Sequence, residues 1–134
     1  MREALIAYFF ALLVMAGLDF LWLSLTVDPI YHRALGSIMA EKPNMTAAVA
    51  FYLIYVVGIV TFAILPALTS GNWQSALIRG ALFGFFAYAT YDLTNLATLK
   101  VWSLKVSLID MAWGSVVTGI TASASAAITL VLER

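Results

Sequence analysis

The chain has 134 residues, of which 63% are hydrophobic and only 10% are charged, and its formal net charge at pH 7 is +0. A soluble domain of this size needs more polar surface than this composition supplies, so the chain is predicted to be an integral membrane protein. Seven basic residues against seven acidic ones leave no basic surface for nucleic acid. The absence of cysteine excludes disulfides, thiolate metal sites and cysteine nucleophiles.

The first helix is predicted over residues 3–27. Its basic start and apolar run look superficially like a signal peptide, but the run is too long, contains Asp19 and lacks a small-residue cleavage pattern, so we expect the helix to remain in the mature protein. Asp28-Pro29 is expected to end it, because proline disfavours helix in the residue before it. Residues 29–40 alternate apolar and polar sides, which predicts a short interfacial helix lying over the helix ends as a lid.

Three more helices are predicted, over residues 45–68, 73–99 and 106–132. Asn44 is a natural N-cap for the first of these, and residues 69–72 have turn chemistry. Each segment reaches the roughly 20 residues that cross a hydrocarbon core about 30 Å thick. The predicted fold is therefore all-α and integral to the membrane: residues 1–134 form one domain, a bundle of four transmembrane helices with the interfacial helix between the first two.

The Lys and Arg residues are divided almost evenly between the two sides of this bundle. Three lie at the termini and second loop, and four lie at the first and third loops: Arg2, Arg79 and Arg134 against Arg33, Lys42, Lys100 and Lys105. The one additional basic residue at the first and third loops favours a topology in which these loops are cytoplasmic and both termini lie outside. The near balance also fits a chain inserted in both orientations, as an antiparallel homodimer would be.

Asp92 and Asn95 stand inside the third predicted helix, where a carboxylate near the middle of a span costs roughly 2.5–3.5 kcal/mol. Asp19 and Asp110 fall on the same side of the membrane. With about 1.5 Å of rise per residue, Asp19, Asp92 and Asp110 lie at depths of roughly 13, 12 and 8 Å. Such residues normally face a partner helix or a wet cavity, so we expect the three carboxyl groups to converge on one site.

Small residues on the third predicted helix should allow the face that bears Asp92 to pack against a neighbouring helix. Gly80, Gly84, Tyr88 and Asp92 are spaced by four and therefore share one helix face. The GxxxG spacing of the two glycines predicts close helix packing, and Gly114 stands on the corresponding small and polar stripe of the fourth helix.

Aromatic residues are expected at the same depth as the acids. Trp22 and Trp113 share helix faces with Asp19 and Asp110, which makes them candidates for a cage around an organic cation, and Tyr52 and Tyr55 lie on the early turns of the second helix. His32, the only histidine, is a candidate for proton exchange at the mouth of the site, although an interfacial position is the simpler interpretation. No metal site and no cofactor is expected.

Several of these residues together resemble a known family. The stretches that carry the resemblance are Asp19 with Trp22, the segment around Tyr31 and Leu35-Gly36, Phe51-Tyr52, Pro66-Ala67-Leu68, Asp110 with Trp113-Gly114 and, most specifically, YATYDLTN from Tyr88 to Asn95. They are similar to a family of small bacterial inner-membrane proteins of unknown function. The resemblance covers almost the whole chain and implies four helices and a bacterial inner membrane, but no activity.

Three functions remain open at this point. The first is a binding protein or proton-coupled transporter for a small molecule or cation, with the three Asp residues and Asn95 at its site. The second is a non-catalytic subunit of a membrane complex that docks through the GxxxG face. The third is a membrane enzyme acting on a lipid, with paired carboxylates as general acid and base, although no metal-phosphate motif and no Ser-His arrangement supports it.

Overall fold

The computed structural model describes residues 1–134 and contains helices with short connections and no strands, which confirms the predicted all-α fold class. Four long helices follow one another: α1 (Arg2–Leu35), α2 (Met45–Ser70), α3 (Trp73–Thr98) and α4 (Leu104–Leu132). Side chains of the preceding residues cap three of them, since Asn44, Asn72 and Ser103 accept hydrogen bonds from the first-turn amides of α2, α3 and α4.

Three of the helices, α1, α2 and α4, are long and apolar enough to cross a membrane. The remaining helix, α3, has 26 residues and is therefore about 39 Å long, which is also sufficient in length. Its apolar sequence is interrupted by Arg79, Asp92 and Asn95, so composition alone does not identify it as a span. A fourth transmembrane helix stays a prediction.

The first helix does not end at Asp28-Pro29 as expected. Its regular α-helical part, Arg2–Thr26, continues through a π-helical turn, Val27–His32, into a last short turn, Arg33–Leu35. A wider turn accommodates Pro29, which has no N–H and whose ring crowds the preceding turn. Residues 36–39 then form turns, so the separate interfacial helix predicted over residues 29–40 is not confirmed.

A second π-helical turn lies close to the proline of α2. In α2 a π-helical turn, Val60–Ile64, separates Met45–Ile59 from Leu65–Ser70, which contains Pro66 near its start. The first π-helical turn thus contains Pro29, and the second ends two residues before Pro66. Proline interrupts the regular hydrogen bonding of a helix, which favours such irregular turns nearby.

Helix α4 packs against the other three helices. Its Ser125 Oγ donates a 2.7 Å hydrogen bond to the Ala7 carbonyl of α1, and its Ser115 Oγ donates a 2.9 Å bond to the Ala81 carbonyl of α3. The Thr118 hydroxyl lies 2.8 Å from the Tyr55 hydroxyl of α2. Small hydroxyl side chains therefore allow close approach and also link the helices, as is common in membrane bundles.

The face of α3 that bears Gly80 and Gly84 lies directly against α4. A Cβ atom built on Gly84 would lie 2.1 Å from the Gly114 carbonyl oxygen, and one built on Gly80 would lie 2.8 Å from the Thr118 carbonyl oxygen. Neither position has room for a side chain. All the buried residues of α3 belong to this face: Ala76, Gly80, Gly84 and Asp92.

Apolar and polar contacts are separated along the bundle. The apolar core lies in the half nearer the termini, where α1, α2 and α4 contribute residues such as Ala11, Met15, Ile59, Ile64 and Ala122. The opposite half, beneath the first and third loops, holds the buried carboxyl groups. The exterior of the bundle carries many exposed large apolar side chains, as a surface in contact with lipid does.

Candidate functional site

Asp19 is held by hydrogen bonds from two other helices. The Tyr52 hydroxyl donates to its Oδ2 atom at 2.6 Å, and the Trp113 Nε1–H donates to its Oδ1 atom at 2.9 Å. Asp19 is only 7% exposed, and each of its two carboxyl oxygens accepts one of these hydrogen bonds. One carboxyl group therefore connects α1, α2 and α4.

Trp22 and Tyr31 extend this network to a second carboxyl group. The Trp22 ring stacks on the Trp113 ring, with centroids 4.4 Å apart, and its Nε1–H donates to the Tyr31 hydroxyl at 3.2 Å. That hydroxyl in turn donates to Asp110 Oδ1 at 2.8 Å. The π-helical turn that contains Tyr31 is thereby fastened to the start of α4.

Asp92 differs from the other two acids. It is fully buried, and neither carboxyl oxygen has a hydrogen-bond partner of acceptable geometry. Its carboxyl group lies close enough to that of Asp110 for the two to interact. Leaving a buried carboxyl group without a partner costs about 1–3 kcal/mol or more, so Asp92 occupies an energetically unfavourable position.

Two neighbouring cavities adjoin these carboxyl groups. The first cavity, of about 240 Å³, is lined by Tyr31, Leu35, Ile38, Met39, Tyr91, Asp92, Trp102 and Val106. The second cavity, of about 190 Å³, is lined by Asp19, Trp22, Leu23, Tyr31, Tyr88, Tyr91, Asp110 and Trp113. Tyr31 and Tyr91 line both cavities.

No basic side chain accompanies these acids inside the bundle. All seven Lys and Arg residues are exposed: Arg2, Arg33, Lys42, Arg79, Lys100, Lys105 and Arg134. The acids also do not form a compact metal-ligand set, because no three His, Cys, Asp or Glu side chains lie close enough together to hold one ion. Any positive charge that balances an ionised carboxylate here must come from outside the chain.

The other residues singled out in the sequence lie at different distances from the cavities. Tyr88 lines the second cavity, and its ring covers Gly114 so closely that a Cβ atom there would lie 2.1 Å from it. Tyr55 is buried one layer deeper, with its ring centroid 6.2 Å from that of Tyr88. Asn95 is half-buried and lines neither cavity.

His32 also lies outside the cavities. Its Nδ1 atom is 2.7 Å from Asp28 Oδ1, and both side chains are largely exposed. The two residues are four apart, so they meet on one face of the helical turn. His32 therefore contacts a surface carboxylate and none of the buried ones.

Three aromatic residues of the cavity walls, Tyr31, Tyr91 and Trp102, were not among the predicted site residues. A signal for Tyr91 is present, since it lies three residues after Tyr88 and one before Asp92 and so borders the predicted face. Tyr31 and Trp102 belong to the loop side of the bundle. Their positions depend on how the π-helical turn and the third loop fold back, which helical periodicity does not predict.

Three apolar helices with short connections and an apolar exterior define a multi-pass membrane protein. The chain belongs to the family of predicted membrane proteins designated DUF2177, a family of unknown function whose profile matches residues 4–127. No curated protein and no solved structure matches the chain.

Proposed function

We propose that the protein binds a small cation within the membrane and exchanges it for a proton at Asp92. The observation that supports this most directly is the combination of three inward carboxyl groups with seven basic residues that are all exposed. A carboxylate withdrawn from water needs a compensating charge, and intramembrane acids generally mark ion or proton pathways.

Asp92 is the acid best suited to the exchange. Asp19 and Asp110 each accept hydrogen bonds from the protein, whereas both oxygens of Asp92 are without a hydrogen-bond partner, and Asp92 is among the residues that line the first cavity. When the cavity is empty, a proton neutralises Asp92; when a cation enters, that proton leaves. One proton is released for each monovalent cation bound, and the charge of the site is unchanged.

The second cavity supplies aromatic surface to the same site. Trp22, Tyr88, Tyr91 and Trp113 line it beside Asp19 and Asp110. Trp22 and Trp113 stack on each other with centroids 4.4 Å apart, so no cation fits between these two rings. Aromatic faces that remain free attract cations, by about 2 kcal/mol or more when water is excluded. Rings and carboxyl groups together favour an organic cation over an inorganic one, because both attract positive charge and the rings also cover apolar substituents.

The docking face required for an accessory subunit is already occupied. Gly80 and Gly84 pack against α4 of the same chain, so the GxxxG face of α3 is not available to another protein. A binding or transport protein therefore agrees better with the packing than an accessory subunit that docks through this face.

We place this activity in a bacterial inner membrane. The all-helical bundle supports that setting, since bacterial outer membranes are spanned by β-barrels and not by helical bundles.

Transport into proteoliposomes tests the proposal. Vesicles with an acidic lumen would be offered radiolabelled tetraethylammonium or methylguanidinium, which stay charged, while an entrapped pH dye reports proton loss. We expect uptake of at least one cation, accompanied by alkalinisation of the lumen, and loss of both signals in Asp92→Asn.

Glu41→Gln is the matched control, because Glu41 is an exposed loop acid that lines neither cavity. It should transport like the unmodified protein. Uptake that is equal in Asp92→Asn and the unmodified protein, or no uptake above empty vesicles for either cation, would exclude the exchange mechanism.

A further inference from the structure

Asp92, whose carboxyl oxygens have no hydrogen-bond partner, lines the first cavity together with seven hydrophobic residues, and this combination makes a chemical demand on the ligand. We infer that the first cavity takes a protonated primary or secondary amine, or a similar N–H-bearing cation, attached to a small apolar body. This inference rests on the proposed cation-binding function and specifies its ligand class.

The requirement for N–H donors comes from the state of the cavity wall. The Tyr31 hydroxyl already donates to Asp110, and the Trp102 Nε1–H already donates to Ser107 Oγ at 2.9 Å. Tyr91 forms no hydrogen bond with Asp92. No group of the wall donates to Asp92. A bound molecule with an N–H group would supply the missing donor, and a charged N–H group forms the stronger, charge-assisted bond to a carboxylate.

The requirement for an apolar body comes from the rest of the lining. Seven of the eight lining residues are hydrophobic, among them Leu35, Ile38, Met39 and Val106. The cavity volume of about 240 Å³ is below the roughly 300 Å³ at which pockets for drug-sized ligands begin. A single ring or a short branched chain is therefore the appropriate size.

The position of the cavity is consistent with entry of the ligand from the headgroup region of the membrane. Ile38 and Met39 belong to the turns that follow α1, are themselves partly exposed at 47% and 36%, and line the cavity on the loop side. An amphiphilic amine approaching from the headgroup region meets these two side chains first. Its ammonium group then reaches Asp92 while its apolar body stays on the loop side.

Three probes that share a benzyl group separate the possible recognition modes. Benzylamine carries both positive charge and N–H donors at neutral pH, benzyl alcohol carries a donor without charge, and benzyltrimethylammonium carries charge without a donor. Binding would be measured by calorimetry on the full chain in mild detergent, with the fluorescence of Trp102 as a second readout. We expect benzylamine to bind at least about tenfold more tightly than either analogue, the minimum for a charge-assisted hydrogen bond.

Two variants keep the test independent of folding defects and of partition into micelles. Asp92→Asn should remove the preference for benzylamine. Ile38→Trp fills the cavity without altering the carboxyl group and should abolish binding, whereas Ile54→Trp, at a lipid-facing position that is 72% exposed, should leave it unchanged.

The outcomes also distinguish this inference from the proposed function. Equal or tighter binding of benzyltrimethylammonium would overturn the N–H requirement and leave cation exchange standing. Equal binding of benzyl alcohol would overturn the charge requirement. If none of the three binds, the cavity is only hydrated and the inference is overturned, while proton-coupled uptake in proteoliposomes still decides the proposed function on its own.

Discussion

The indole rings of Trp22 and Trp113 lie face to face, with centroids 4.4 Å apart and planes inclined by only 4°. Each ring also donates its N–H to a different part of the buried network, Trp113 to Asp19 and Trp22 to Tyr31. The stack therefore joins the Asp19 hydrogen bonds to the Tyr31–Asp110 pair.

Removing the two N–H donors should not have equal effects. Trp113→Phe leaves one oxygen of buried Asp19 without a donor, which we expect to lower the free energy of unfolding by about 1–3 kcal/mol. Trp22→Phe removes only a longer bond, 3.2 Å, to a hydroxyl that keeps Asp110 as its partner, so its loss should be smaller. Unfolding by SDS titration in mixed micelles measures both, and a larger loss for Trp22→Phe would contradict the assignment.

Replacing two buried acids by leucine should change stability in opposite directions. Asp92 has no hydrogen-bond partner, so Asp92→Leu removes an unfavourable buried group and should raise the free energy of unfolding by about 1–3 kcal/mol. Asp19→Leu leaves the Tyr52 hydroxyl and the Trp113 N–H without an acceptor and should lower it by a similar amount.

The same micelle unfolding measurement compares this pair. Asp92→Leu should also lose cation uptake, since functional groups are commonly held at a cost in stability. Destabilisation by Asp92→Leu comparable to that by Asp19→Leu would show that Asp92 has structural partners and would contradict its role as a free ligand group.

The contact between α3 and α4 predicts a contrast between two glycine substitutions. A Cβ at Gly84 would lie 2.1 Å from the Gly114 carbonyl oxygen, so Gly84→Ala should force the helices apart and cost about 1–3 kcal/mol. Gly17 in α1 has nothing within 4 Å, and Gly17→Ala should raise stability by up to about 1 kcal/mol through helix propensity. Equal thermal midpoints for the two variants in detergent would contradict the packing.

The lack of native cysteine allows the span of α3 to be tested directly. Single cysteines would replace Lys42 before α2, Ser70 at the end of α2 and Lys100 after α3, and intact cells would be treated with an impermeant maleimide. If α3 crosses the membrane, Lys42→Cys and Lys100→Cys react alike and Ser70→Cys reacts oppositely. Matching reactivity of Ser70→Cys and Lys100→Cys would show that α3 does not cross.

Much of the architecture follows from local pattern. The apolar runs predict the helices, and caps such as Asn44 predict where they begin, because both depend on residues close together in the chain. The effect of a proline depends also on contacts outside its own segment. Asp28-Pro29 predicts an end of the first helix, but a π-helical turn accommodates Pro29 and the helix continues. The hydrogen bond from the Tyr31 hydroxyl to Asp110 holds this turn against α4.

The composition of the site was also partly evident in the sequence. The depth of Asp19, Asp92 and Asp110 predicts one carboxyl-bearing half of the bundle, because rise per residue is fixed in a helix. Spacing did not reveal that Asp19 is fully hydrogen-bonded while Asp92 has no partner. Spacing also does not reveal that Asp92 lines the first cavity whereas the half-buried Asn95 does not.

By itself, then, the sequence determined the membrane class and the all-helical fold, and it predicts the depth of each intramembrane acid, since hydrophobicity and helical rise are properties of a single segment. Only the tertiary structure decided which acid has hydrogen-bond partners, that Trp22 stacks on Trp113, and that Tyr31 and Tyr91 line two cavities beside the acids. Those features depend on the rotation of each helix about its axis and on the path of the loops. Both are set by contacts between residues far apart in the chain, such as Gly84 with Gly114 and Tyr31 with Asp110.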